Sequence, residues 1–235
     1  MTYLVHAAAG HGVDVRSILS PVAAQPATSR APRPFPVARW FALAWLVFFI
    51  PYNWVVHGPW NLLFFCNVAV LLTCVGIWRA SPLLLSSQAL FALLVQGAWT
   101  LDLLLRLYRG RGLWPGILFS GWMLNPEIRL LYRGVSLYHA VWPFLLIWCV
   151  WRLGYDRRAL WLQSALSVLV LSFSLLAPPE MNLNGVREAG WSWQPSVLHV
   201  AIVSLGLIVI VYGPTHLVLS RWLSGPGKPE TQPGS

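Results

Sequence analysis

The sequence predicts an all-α fold: a polytopic membrane helix bundle with about six transmembrane helices and an interfacial or re-entrant segment between the third and fourth. Three observations lead there. Of 235 residues, 57% are apolar and only 10% charged, too oily for a soluble domain of this length. The apolar residues fall in runs long enough to cross ~30 Å of hydrocarbon as helices. Lys and Arg sit in short clusters between those runs, where they set topology, so the net charge of +9 does not point to a nucleic-acid partner.

Residues 1–39 contain "SPVAAQPATSRAPRPFP", rich in Ala, Pro, Ser and Arg, with no sustained helical period. They are expected to form a disordered cytoplasmic tail. No charged n-region precedes a short apolar core, so no cleaved signal peptide is expected. Within a transmembrane domain of residues 40–222, the spans are expected at about 40–56, 60–78, 83–105, 135–152, 159–177 and 196–219. Between the third and fourth, the apolar piece from Leu113 to Leu124 is too short to span and is broken by Pro115 and Gly116. Residues 223–235, which include "SGPGKPETQPGS", read as a second disordered tail.

Orientation follows from the cations. Arg16, Arg30, Arg33, Arg39, Arg79, Arg152, Arg157, Arg158, Arg221 and Lys228 fall on one side of a six-span layout; Arg106, Arg109, Arg111, Arg129, Arg133 and Arg187 fall on the other. The larger set favours a multi-pass protein of the cell inner membrane with both termini cytoplasmic.

With that topology, polar groups collect at one level. "HGPWNLLFFCN" (57–67) places His57 in the outer turn after the first span and Asn61, Cys66 and Asn67 in the outer half of the second. Asp102 lies near the outer end of the third, and His139 and His199 lie about one turn into the fourth and sixth. Glu180, Asn182 and Asn184 follow the fifth. Ionisable groups at membrane depth are costly and usually find partners in the bundle interior, so their convergence suggests a site. Asp102 and Arg106 are four apart and can pair along one helix. Pro143, four residues beyond His139, frees backbone groups beside that site. The stripes Gln163, Ser164, Ser167, Ser174 and His199, Gly206, Gly213 read as helix-packing faces. The tryptophans read as interfacial belts. Cys66, Cys74 and Cys149 all fall within spans and form no CxxC pair.

The segments "HGPWNLLFFCNVAVLL", "QGAWTLDLLLRL", "GVSLYHAVWPFLL", "GYDRRAL" and "APPEMNLNGV" carry a resemblance over residues 57–219. The chain resembles a bacterial six-span integral membrane family of mostly unassigned function. That family is similar in layout to YwaF-like proteins and to a eukaryotic transmembrane acyltransferase that uses a Cys and a His. The resemblance implies Cys66 and His139 as catalytic positions. The residue after that cysteine, acidic in the family, is Asn67 here.

The function expected is an outer-leaflet polar pocket that binds or modifies a lipid or other hydrophobic molecule, with acyl transfer as the reaction class. Cys66 would be nucleophile and His139 its base. His57 or His199 would relay a proton, and Asn67 or Asn184 would donate to an oxyanion. His57, Asn61, Asn67, Asp102, Glu180, Asn184 and His199 are the candidate substrate-binding residues. Arg109, Arg111, Arg129 and Arg133 would suit an anionic headgroup. Two other classes stand beside this one. The first is a structural or assembly subunit with protein partners in the membrane. The second is a small transporter or metal-binding protein using His57, Asp102, His139 and His199. No HxxxH or HExxH spacing occurs, so neither metal nor cofactor is assigned, and the expected partners are membrane lipids.

Overall fold

The computed structural model describes residues 34–113, 120–187 and 196–223, and all regular structure among them is helical. The two tails, apart from residues 34–39 and 223, and the Pro115–Gly116 break lie outside the described residues.

Helix α1, Pro36–His57, starts a few residues before the expected span because Pro36 occupies its first turn, where a missing N–H costs nothing. Gly58 ends it at φ 82°, a conformation open to glycine. The second apolar run is not one helix. Pro59–Leu63 forms a 3₁₀ turn, Phe64 is extended, and α2 begins at Phe65 and runs to Arg79. Ala80, in the left-handed region at φ 51°, turns the chain directly into α3, Pro82–Arg109. The turn is tight because Ser81 caps α3 by accepting from Leu84 N at 3.3 Å, with Pro82 in the first turn.

The fourth run starts earlier than expected, at Leu130, as α4 (Leu130–Ser136) followed by α5 (Tyr138–Leu153). The fifth is α6, Ala159–Ser174. The last run is continuous but mixed: α7 (Ser196–Gly206), a π-helical segment (Leu207–Tyr212) and α8 (Gly213–Trp222). Pro214 cannot donate to Ile210 O, and Gly213 N–H instead reaches back five residues to Ile208 O, which widens the turn. Four stretches, Pro36–His57, Pro82–Arg109, Leu130–Leu153 and Val197–Trp222, are long and apolar enough to cross a membrane; Phe65–Arg79 and Ala159–Ser174 are shorter apolar helices.

The bundle is apolar outside and partly polar inside. Val55, Phe144, Trp161, Leu205, Ile210 and Trp222 are exposed, whereas Thr73, Ser86, Ser87, Gln88, Gln96 and Ser167 are buried. An exterior of this kind suits lipid rather than water. Helix α3 is central and packs on α2, α5 and α6. The stripe on α6 is a packing face: Gln163 Oε1 accepts from Gln88 Nε2 at 3.3 Å, and Ser167 Oγ lies 2.6 Å from the Tyr212 hydroxyl.

Candidate functional site

Asparagines build one wall of a cavity by tying the 3₁₀ turn 59–63 to α1, α2, α5 and α6. Asn61 Nδ2 donates to Asn53 Oδ1 of α1 at 2.6 Å, and Asn53 Nδ2 donates to Phe49 O at 2.8 Å. Asn67 Nδ2 donates to Asn61 O at 2.6 Å, while its Oδ1 accepts from the Tyr138 hydroxyl of α5 at 2.8 Å. Asn184, in the left-handed region at φ 55°, accepts from Phe65 N at 3.0 Å and donates to Leu63 O and Ser174 Oγ, both at 2.9 Å. Phe65 N belongs to the first turn of α2, where N–H groups have no partner within the helix. Asparagine suits such joints because one short amide both donates and accepts and tolerates positive φ.

The facing wall comes from α3 and α5. The imidazole of His139 stacks on Trp99 and Tyr138, with ring centroids 4.7 and 4.1 Å away, and Nδ1 donates to Ser136 O at 2.8 Å. In the neutral ring that bond leaves Nε2 an acceptor. Pro143 denies His139 O its helical donor; Thr100 Oγ1 sits 3.3 Å from that carbonyl and 2.8 Å from Gln96 O, so one hydroxyl links the His139 and Gln96 turns.

These walls enclose a cavity of about 790 Å³. Its polar lining includes Asn53, Asn61, Asn67, Gln96, His139 and Asn184, among apolar side chains such as Phe49, Phe91, Val95, Val203 and Leu207. Among the described lining residues none is charged. Gln96 is 1% exposed, and both amide atoms are buried without a hydrogen-bond partner among the described residues.

Of the expected site residues, Asn61, Cys66, Asn67, His139 and Asn184 share this cavity, and His57, Asp102, Glu180 and His199 do not line it. Cys66 Sγ lies 3.8 Å from Asn67 Oδ1, and no hydrogen bond joins it to His139 among the described residues. Asp102 is fully buried on another face of α3. It pairs with Arg106 at 2.9 Å, accepts from Leu113 N at 2.5 Å and Ser120 N at 3.3 Å, and is bonded by the Ser120 hydroxyl. Leu113 and Ser120, in the segment between α3 and α4, therefore meet at one carboxylate. His199 Nε2 donates to Gly185 O at 2.8 Å and steadies the segment that carries Asn184. His57 packs behind the cavity against Tyr132, centroids 4.6 Å apart, and Glu180 is exposed on a 3₁₀ turn.

Asn53, Gln96 and Tyr138 are cavity residues that the sequence reading did not single out. Asn53 and Gln96 carried a usable signal, an amide inside an apolar span. No three His, Cys, Asp or Glu side chains gather in a metal-binding group among the described residues.

The fold and cavity define a class, a helical protein with four helices suited to a membrane and an uncharged internal pocket. No known protein family, curated protein or solved structure matches the chain.

Proposed function

We propose that the protein binds an amphipathic, lipid-like molecule in this cavity. The observation that carries the reading is the combination of mostly apolar walls, a volume typical of ligand sites, and a buried Gln96 amide with no partner among the described residues. Leaving that amide unpaired costs about 1–3 kcal/mol, a cost that a bound ligand would offset.

The reading includes six passes. Helices α2 and α6, at 15 and 16 residues, extend only about 22–24 Å. The 3₁₀ turns 59–63 and 179–185 extend their ends towards the interface. Both termini are then cytoplasmic and the cavity faces the outer leaflet of the cell inner membrane. Labelling of Ser17→Cys and Ser235→Cys from the periplasmic side would overturn that orientation.

Mass spectrometry of the protein purified in mild detergent tests the binding. A co-purifying lipid is expected, and Val95→Trp, which fills the cavity, should displace it while circular dichroism stays unchanged. Loss of lipid only when helices also unfold, or no lipid at all, would favour a structural subunit.

Acyl transfer is the second reading, supported by Cys66 and His139 lining one cavity. It requires the imidazole to reach the thiol directly or through one water. A hydroxylamine-sensitive acyl adduct on Cys66, absent from His139→Phe, is its signature.

A further inference from the structure

We infer that the cavity selects an uncharged lipid alcohol, of which a diglyceride is the simplest example, over a lipid with an anionic headgroup. This rests on the binding reading and adds the chemistry of the occupant.

Two of the polar groups in the wall carry the inference. Gln96 supplies one: its Nε2 and Oε1 are both buried and without a partner among the described residues, and the residue is 1% exposed. The second is His139 Nε2. With Nδ1 donating to Ser136 O, that nitrogen is an acceptor, and no hydrogen bond to it occurs among the described residues. The asparagine amides are already engaged with one another and with backbone, so they shape the pocket more than they solicit a ligand.

An acceptor and an amide that line one cavity call for a hydroxyl. The ligand O–H donates to His139 Nε2, its oxygen accepts from Gln96 Nε2, and acyl chains run along Phe91, Val95 and Leu207. Thr100, which touches the backbone carbonyl of both residues, keeps the two on neighbouring turns of α3 and α5. A phosphate has no place here. It would bring one or two negative charges to a wall without a cation among its described residues, and an unpaired charge out of water is strongly disfavoured. The phosphate would also present acceptors to the His139 lone pair. The arginines that suggested an anionic headgroup, Arg109, Arg111, Arg129 and Arg133, do not line the cavity.

The test compares three chain-matched probes on the full-length protein in nanodiscs: dioctanoylglycerol, its 3-O-methyl ether and dioctanoyl phosphatidic acid. The alcohol should bind at least about ten-fold more tightly than either analogue, the ether losing the donor and the phosphate adding charge. Gln96→Leu should weaken the alcohol about ten-fold without lowering the melting temperature of ligand-free protein, because it removes an unpaired buried amide. His139→Phe should erase the preference for alcohol over ether. Phosphatidic acid binding as tightly as the alcohol, or ether and alcohol binding alike, would overturn the inference while leaving a lipid-binding cavity. Binding by none of the probes, with no co-purifying lipid, would remove the binding reading as well.

Discussion

Asn184 closes the first turn of α2 from 119 residues further along the chain, accepting from Phe65 N at 3.0 Å and donating to Leu63 O at 2.9 Å. The helix has no cap from its own N-cap residue, Phe64. The joint fixes where α2 starts, and with it the positions of Cys66 and Asn67 on the cavity wall.

Asn184→Ala should therefore destabilise the protein by about 1–2 kcal/mol, the usual cost of losing an N-terminal cap with a buried partner. Positive φ at this position adds to the cost, since alanine tolerates it less well than asparagine. Gly at the same position should recover only the conformational part. Chemical unfolding in detergent distinguishes these outcomes; equal stability of Ala and wild type would show that the cap is dispensable.

Asp102 holds the segment that follows α3, and its loss leaves the half-buried Arg106 without this carboxylate. Asp102→Ala should cost about 3–5 kcal/mol and should expose residues 110–113 and 120–124 to proteolysis. A Cβ at Gly112 would collide with Asp102 Oδ1 and lie 2.6 Å from Arg106 Nε, so Gly112→Ala should show the same proteolytic pattern. Unchanged protection in both variants would contradict this anchoring role.

At the hairpin between α2 and α3, a Cβ on Gly76 would stand 2.9 Å from Leu85 Cγ, a fully buried side chain. Gly76→Val should destabilise by about 1–3 kcal/mol through overpacking. Shortening the neighbour in Gly76→Val/Leu85→Ala should restore part of that loss. Additive effects of the two substitutions would argue against direct contact.

Asp156 sits between α5 and α6, where hydrogen bonds from the Arg158 side chain hold its carboxyl below its ordinary range, against the opposing effect of burial. A depressed folded value contributes stability that is full above the unfolded value of about 4 and is lost as pH falls through the folded value. Asp156→Asn keeps an acceptor for Arg158 N but removes the charge. Its melting temperature should fall less than wild type's as pH drops below about 4. Arg158 is 77% exposed, so the difference should be small and shrink with added salt. Parallel pH profiles for the two proteins would rule the pair out as a contributor.

The sequence by itself determined what depends on neighbours along the chain. Long apolar runs pointed to helices, which satisfy their backbone within one segment, and the Asp102–Arg106 pair follows from four-residue spacing on a helix. Pro143 marked a freed carbonyl at His139 for the same local reason. Five of the polar residues grouped from the sequence, Asn61, Cys66, Asn67, His139 and Asn184, line one cavity. Azimuth was not legible. Gln96 and Asp102 are six residues apart on α3, about 120° around its axis at 100° per residue; one lines the cavity and the other is taken by the segment that follows α3. Which face meets which neighbour is decided by packing between helices, so only the tertiary structure could assign Asp102 to an anchor, His199 to a brace, and the unpaired Gln96 amide to the cavity wall.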